Sequence, residues 1–440
     1  MQIAELRSGL TPPRIPTRAL PEHAGETVRL AGWLHRFRQL GKISFLILRD
    51  HTGMAQVVLT EPEQIEQVAA LGHESVVEVV GNAVAVPQAP GGVEIHAPAI
   101  EVIAAVNEQL PFDLYRPEIA AQLPTVLDHA AVANRHPSRR IYFQLAAALV
   151  AGFRTTLDEL GFTEIFSPKL VGSATESGAN VFALDYFESR AYLAQSPQFY
   201  KQMMVGVFER VYEVGPVFRA EPHDTARHLN EYVSLDAEMG FITDQRDVMR
   251  VLNQVIAGMV DAAAAKLEAA GAGDEFAIPE VPVEIPILHF ADAMELLGKG
   301  DSEELDLAPA DERDLCDWAE REHGSEWLFI EGYPMAKRPF YTHPDPQRPE
   351  YSRGFDLLFR GLELVTGGQR RHLYPDYLAA LEAAGLSAEG MEGYLEAFKY
   401  GMPPHGGFAI GLERFVARLT GVQNVREVTL FPRTMTRLVP

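Results

Sequence analysis

Two short blocks constrain this chain most. Phe218-Arg219-Ala220-Glu221, followed closely by Arg227-His228-Leu229-Asn230-Glu231, and the late block Gly411-Leu412-Glu413-Arg414 each set an arginine beside an acid, with strand-like flanks. Arginine presents a rigid fork of donors to phosphate oxygens and keeps its charge. Two such arginines on ordered segments far apart in sequence suit a triphosphate gripped along its length. Either block alone is weak, because surface Arg-Glu pairs are common, but both in this order are strong. The chain has no GxxxxGK(S/T) loop and no GxGxxG fingerprint. A P-loop or Rossmann mode of phosphate binding is therefore not expected.

The texture of the chain changes along its length. Residues 28–34, 43–48, 55–59, 76–86 and 93–106 are rich in β-branched residues and separated by turn signals such as Gly41, Gly53 and Pro90-Gly91-Gly92, which predicts five short strands. Such a set suggests a small barrel of the OB type, whose open face binds single-stranded oligonucleotides. A polar, proline-punctuated stretch follows. Beyond it, residues 141–160 have helical periodicity closed by Gly161, and Val248, Val251, Leu252, Val255, Ile256 and Met259 form a second apolar helical stripe that reads as core. Strand-like runs recur at 210–214, 328–330 and 355–359, and the close reads as strand over 408–412 and helix over 413–419. The predicted fold is α+β: a barrel over 1–106, a linker or hinge over 107–137, and an antiparallel-sheet catalytic domain with flanking helices over 138–440.

Net charge is −23 over 440 residues, which on average disfavours nucleic acid. A local stripe opposes that average: Arg29, Arg36, Arg38, Lys42 and Arg49 run without an acid among them, interleaved with Trp33, Phe37 and Phe45. The one cysteine, Cys316, excludes an intrachain disulfide framework and a cysteine-rich zinc site. No stretch reads as long and apolar enough to span a bilayer, and Met1 to Arg7 lacks the apolar core of a signal peptide. A cytoplasmic protein with no membrane partner is expected.

The first arginine block resembles motif 2, and the second motif 3, of class II aminoacyl-tRNA synthetases, and the chain as a whole is similar to their aspartyl members. That resemblance implies ATP and Mg²⁺, with L-aspartate activated to an adenylate and passed to the 3′ end of tRNA. Such phosphoryl chemistry is catalysed mainly by alignment and charge neutralisation. It implies Arg219 at the α-phosphate and the aspartate carboxylate, and Arg414 at the far phosphate, as the catalytic pair. Ala220, Glu221, Arg227, His228 and Leu229 would hold adenine and triphosphate, with Glu363, Gly411, Leu412 and Glu413 completing the ATP site. Glu363 and Thr366 are the expected Mg²⁺ ligands, although the family pattern has Ser where this chain has Thr366. For the aspartate side chain the resemblance implies Lys201 and Arg370, with Asp236 orienting Lys201, and for its ammonium Glu176 and Gln198. His405 resembles the histidine of a substrate-closing loop and is given no acid/base role. Pro168 matches the motif 1 proline at a twofold interface, which implies a homodimer.

In the barrel, Arg38, Phe45 and Gln56 fall on positions that contact the anticodon, a trio suited to stacking and edge recognition of splayed bases. The lack of a large insertion between Arg227 and Gly411 points to the archaeal and eukaryotic branch. Strict members of that branch carry Trp and Lys where this chain has His35 and Pro90. The substitution implies relaxed reading of the third anticodon base, so that both tRNA-Asp and tRNA-Asn are charged. The alternatives are an asparagine–tRNA ligase on the same scaffold, or an inactive tRNA-binding paralogue.

Overall fold

The computed structural model describes residues 12–172, 181–222, 224–273 and 275–440. The chain divides into two units, Met1–Ser138 and Arg139–Pro440.

In the first unit, β1 (Thr27–Leu40), β2 (Ile43–Arg49), β3 (Met54–Leu59), β4 (Val76–Ala85) and β5 (Val93–Ala104) close a barrel in the order β1-β2-β3-β5-β4. Alternate residues point inward, so Leu30, Leu34, Leu46, Leu48, Val57, Val79 and Ile95 form its core. Gly32 is required where β1 crosses β2, since a Cβ there would lie 2.3 Å from the Arg49 carbonyl oxygen. β1 runs on past the predicted end to Leu40 and carries Arg36 and Arg38 on its exposed extension. A bulge between Leu34 and Arg36 leaves His35 as the extra residue. The 107–137 segment, expected as a linker, falls inside this first unit. It holds two short helices, Leu123–Asp128 and Ala130–Ala133, and its own cluster of Phe112, Leu114, Val126 and Ala133.

The second unit is built on an eight-stranded sheet. Its strands are β6 (Thr163–Glu164), β10 (Arg210–Phe218), β11 (Glu231–Gly240), β12 (Ile287–His289), β13 (Trp327–Glu331), β14 (Gly354–Phe359), β15 (Leu362–Arg370) and β16 (His405–Gly411). Their order is β12-β13-β14-β15-β16-β11-β10-β6, antiparallel except for the parallel pairs at its two edges. A small sheet of β7 (Leu170–Val171), β8 (Ala183–Tyr186) and β9 (Ser189–Leu193) stands apart from it. Labelling the barrel helix Pro62–Ala69 α1, the main helices of the second unit are α2 (Pro137–Glu159), α3 (Gln198–Phe208), α4 (Gln245–Ala270), α5 (Pro309–His323), α6 (Tyr374–Ala383), α7 (Glu392–Lys399) and α8 (Leu412–Thr420).

One face of the large sheet is apolar. Leu235, Phe355, Val365 and Phe408 meet Leu149 and Phe153 of α2 and Leu252, Val255 and Ile256 of α4 in the main core. α4 is capped by the Asp244 side chain at its start and by left-handed Gly271 at its end. It corrects one expectation, because by length and composition alone α4 could cross a membrane. The apolar stripe that gives it this character is buried in the core, as the periodicity predicted.

The other face carries the polar residues of the central strands. Asp236 on β11 lies opposite Ala409 on β16, which lies opposite Thr366 on β15, which lies opposite Asp356 on β14. A bulge where Leu364 meets β14 inserts one residue between Glu363 and Val365. That insertion brings Glu363 and Thr366, three apart in sequence, to one face.

Candidate active site

Above this polar face lies a cleft of about 310 Å³. The two arginine blocks converge there, with Arg219 leaving the end of β10 and Arg414 in the first turn of α8. Gln198, Lys201, Glu221, Arg227, His228, Leu229, Asp236, Glu363, Thr366, Arg370, Gly411 and Glu413 share the same walls. Ala220 and Leu412 do not line the cleft, and Leu412 is buried in the main core. Glu176 lies outside the described residues.

One end of the cleft is a buried lattice of charge. Lys201 Nζ donates to Asp236 Oδ1 at 3.1 Å and to the Phe408 carbonyl at 3.2 Å, and lies 3.3 Å from Glu238 Oε2. Arg370 Nε donates to Glu238 Oε1 at 3.0 Å and its Nη2 to the Gly407 carbonyl at 3.2 Å. Asp236 is held in turn by the Ser234 hydroxyl at 2.5 Å. Glu238 is fully buried; burial works against its charge, yet Arg370 and then Lys201 hold it below the usual carboxylate range. Gly407 makes room for it, since a Cβ there would lie 2.1 Å from Glu238 Oε2. Two cations with their counter-charges already in place can accept a substrate carboxylate without leaving any buried charge alone.

Behind this lattice, Gln202 is saturated. Its amide nitrogen donates to Tyr377 Oη at 3.0 Å and contacts His405 Nε2 at 2.9 Å, while its oxygen accepts from Gln198 and Tyr394, each at 2.9 Å. His405 Nδ1 meets the Pro403 carbonyl at 2.9 Å, so the neutral ring satisfies both neighbours as Nδ1 donor and Nε2 acceptor. Burial drives its pKa down to about 4. The expectation of a loop histidine is therefore corrected: His405 is the fully buried first residue of β16. A ring with both nitrogens engaged is structural.

The other end is more open. Arg219 Nη1 lies 3.9 Å from Glu221 Oε1, and its guanidinium stands 5.7 Å from the centre of the Tyr232 ring. Asn230 donates to the Arg219 carbonyl at 2.7 Å and to that of Glu221 at 3.4 Å, closing the loop on itself. His228 approaches Glu221 at 3.4 Å. Arg414 Nη1 lies 4.0 Å from Glu363 Oε1, which accepts from the Thr366 hydroxyl at 2.8 Å. Glu413 accepts the Val233 N–H with both oxygens, at 3.1 and 3.2 Å, which ties α8 to β11. Burial raises its pKa to about 7.

The donor set bears on Mg²⁺. Among the described residues no cluster of three His, Cys, Asp or Glu side chains could enclose a metal. Glu363 and Thr366 nevertheless offer a carboxylate and a hydroxyl 2.8 Å apart on one face. Mg²⁺ commonly takes one or two carboxylates and completes its shell with phosphates and water, so this pair fits such an ion. Asp356 stands in the same row with Oδ1 buried and without a hydrogen-bond partner; burial pushes its pKa to about 7 against the pull of Arg338.

In the barrel the structure joins three predicted residues. Arg38 Nη2 donates to Gln56 Oε1 at 2.9 Å, and the guanidinium lies 5.9 Å from the centre of the half-buried Phe45 ring. Gln56 donates to Glu94 at 2.5 Å. Pro90 is exposed at the start of the turn between β4 and β5. His35 is placed differently from the expectation of a base contact. Its ring is 7% exposed, with Nδ1 4.0 Å from Glu74, a carboxylate that also binds Arg49 at 2.7 Å and Arg135 at 3.4 Å. Pro168 is exposed between Ser167 and Lys169, both of which are tied to Glu213.

Sequence reasoning missed Glu238, Gln202 and Asp356. Glu238 had a signal in its two-residue spacing from Asp236 on a strand. The others become visible only when distant segments meet.

The chain matches two family models: tRNA synthetases class II (D, K and N) over residues 123–435, and the OB-fold nucleic acid binding domain over residues 28–103. It is 47% identical to the aspartate–tRNA(Asp/Asn) ligase of Thermus thermophilus, covering 97% of this chain and 100% of the relative. It is 46% identical to the ligase of that name in Deinococcus radiodurans, covering 97% and 99%. Among solved structures it resembles asparaginyl-tRNA synthetase from Pyrococcus horikoshii complexed with asparaginyl-adenylate, with a TM-score of 0.90, 34% identity, and coverage of 97% of this chain and 100% of that one. It also resembles aspartyl tRNA synthetase from Entamoeba histolytica, with a TM-score of 0.85, 28% identity, and coverage of 97% and 93%.

Proposed function

We propose, since the chain belongs to the class II tRNA synthetases of the aspartate, lysine and asparagine group, that it is a non-discriminating aspartate–tRNA ligase. It activates L-aspartate with ATP and passes the aspartyl group to tRNA-Asp and tRNA-Asn. The observation that carries the choice of amino acid is the buried pair Lys201 and Arg370, held on Glu238 and Asp236. Both cations face a substrate carboxylate as opposite charge, whereas an amide would set its own N–H donors against theirs. The relatives named for both tRNAs support the relaxed reading of the anticodon.

The residues divide the reaction between them. Lys201 and Arg370 bind the side-chain carboxylate, and Gln198, locked by Gln202, accepts or donates at the backbone end of the substrate. Arg219 neutralises the α-phosphate as the aspartate carboxylate attacks it. Pyrophosphate leaves toward Arg414 and Arg227. Mg²⁺, held by Glu363 and Thr366, would offset phosphate charge. The protein needs no general base, because the attacking carboxylate is already ionised. A homodimer through the Pro168 segment and a cytoplasmic setting go with this reading.

The test is pyrophosphate exchange into ATP with aspartate or asparagine, followed by charging of each purified tRNA. Aspartate-dependent exchange and aspartylation of both tRNAs are expected. Exchange driven by asparagine would instead make the chain an asparagine–tRNA ligase. Absence of all exchange would leave only a tRNA-binding protein.

A further inference from the structure

Glu312 lies in the first helical turns of α5, far in sequence from both arginine blocks, and its side chain is buried. Its Oε2 accepts from Arg227 Nη1 at 3.3 Å and from the backbone N–H of Glu363, also at 3.3 Å. Arg227 Nη2 reaches the Gly361 carbonyl at 3.5 Å. One carboxylate oxygen thus ties the loop between β10 and β11 to the strand that carries the candidate Mg²⁺ ligands. Arg227 and Glu363 line the cleft, and Glu312 does not.

We infer that Glu312 is a positioning residue for ATP, acting through Arg227 and the Glu363 backbone; this rests on the reading of the cleft as an ATP site. A guanidinium has five N–H donors in a fixed plane. Glu312 and Gly361 engage one donor on each Nη group, which orients the plane and leaves the remaining donors for phosphate. A long side chain on a loop would otherwise lose rotamer freedom when ATP arrives. Held in advance, it loses less. The Glu312 oxygen is occupied by its two protein donors, so its task is to hold these groups rather than to bind the nucleotide.

The test measures the ATP dissociation constant by titration calorimetry in the presence of Mg²⁺, together with KM for ATP and for aspartate in the exchange reaction. Glu312→Gln should weaken ATP by about tenfold, the low end of the effects that follow a change in a residue supporting a metal ligand, as Glu312 would support Glu363. KM for aspartate should stay at the wild-type value, a split that a general structural defect would not produce. In an Arg227→Ala background the same substitution should have a much smaller effect on ATP. Equal affinity for ATP in wild type and Glu312→Gln overturns the inference, as does parallel loss of ATP and aspartate affinity. Should Glu312→Gln fail to fold, Glu312→Asp, which keeps the charge and withdraws its reach, must show the same selective loss or the inference falls. Binding of ATP without aspartate-dependent exchange would refute the proposed amino acid while leaving Glu312 to be judged by calorimetry. Wild type that binds no ATP refutes both.

Discussion

The two ends of the cleft are built by opposite rules. At the amino-acid end, Lys201 is 1% and Arg370 9% exposed in their side chains, and both sit 3.0–3.3 Å from carboxylates. At the nucleotide end, Arg219 and Arg414 are 37% and 32% exposed, and the carboxylates of Glu221 and Glu363 stand 3.9 and 4.0 Å from them, with Arg414 also donating to the Glu363 carbonyl at 3.4 Å. The buried end has its counter-charges in the protein, so its geometry exists before substrate binds. The open end holds its cations nearer the surface, where the proposed function has phosphate and metal meet them. On the proposed function, the contrast teaches where binding and folding are coupled: the charges assigned to the amino acid also neutralise buried carboxylates of the protein, whereas the part-exposed charges assigned to the phosphates do much less of this.

The sharpest way to break this comparison is Lys201→Met. It removes the cation between Asp236 and Glu238, leaving buried carboxylates short of a partner. Breaking a buried pair in this way costs about 3–5 kcal/mol. Aspartate-dependent exchange should vanish and the thermal midpoint should fall markedly, while calorimetry still detects ATP in protein kept folded at low temperature. Unchanged aspartate affinity would mean that the buried lattice is structural only, and the specificity argument would be wrong.

Arg219→Ala and Arg414→Ala probe the open end. Each should lower exchange by about a hundredfold, the size of effect that follows loss of one transition-state donor. Because both side chains are part-exposed, the melting curve should stay close to wild type. Normal exchange in both variants would refute the phosphate site, and a large drop in stability would erase the contrast between the two ends.

How much was legible beforehand follows the same division. The arginine blocks, the five barrel strands and the α4 stripe were readable because each is local: a motif, an alternation, a helical period. The pairing of Lys201 with Asp236 entered through family resemblance, and the structure supplies its 3.1 Å contact. Glu238 has only its two-residue spacing from Asp236 to mark it, since nothing local says that a strand carboxylate will meet a lysine from α3 and an arginine from β15. Gln202 and His405 are more than two hundred residues apart in a chain with only weak signals around either. The bulges mattered most. One places Glu363 and Thr366 together, and another turns His35 inward, and a strict two-residue period predicts neither.

In the barrel, Phe45→Ala should weaken charging of both tRNAs alike, by roughly 1–3 kcal/mol per lost stacked base. The two anticodons share their first two bases, so a ring that stacks on either of those serves both substrates. The exchange reaction, which needs no tRNA, should be untouched. Loss of only one of the two charging reactions would mean that Phe45 reads the base that differs. Loss of exchange would show that the substitution damages the whole protein.

The smallest expected effect separates Pro90 from His35, which repeat in the barrel the contrast between open and buried. Pro90 is exposed on a turn and lacks both an N–H and a polar side chain, so Pro90→Lys adds a donor without disturbing a core. It should depress charging of tRNA-Asn relative to tRNA-Asp by up to about tenfold, near the lower end of the 1–3 kcal/mol attached to one good base contact. His35 is buried beside Glu74 and Arg49, so His35→Trp forces a larger ring into occupied space. Overpacking of that kind costs about 1–3 kcal/mol of stability. Its signature should be a lower melting temperature with the ratio of the two charging rates unchanged. If His35→Trp alone shifts the ratio and leaves the melting curve in place, the ring must turn outward when tRNA binds, and the buried position would describe only the free enzyme.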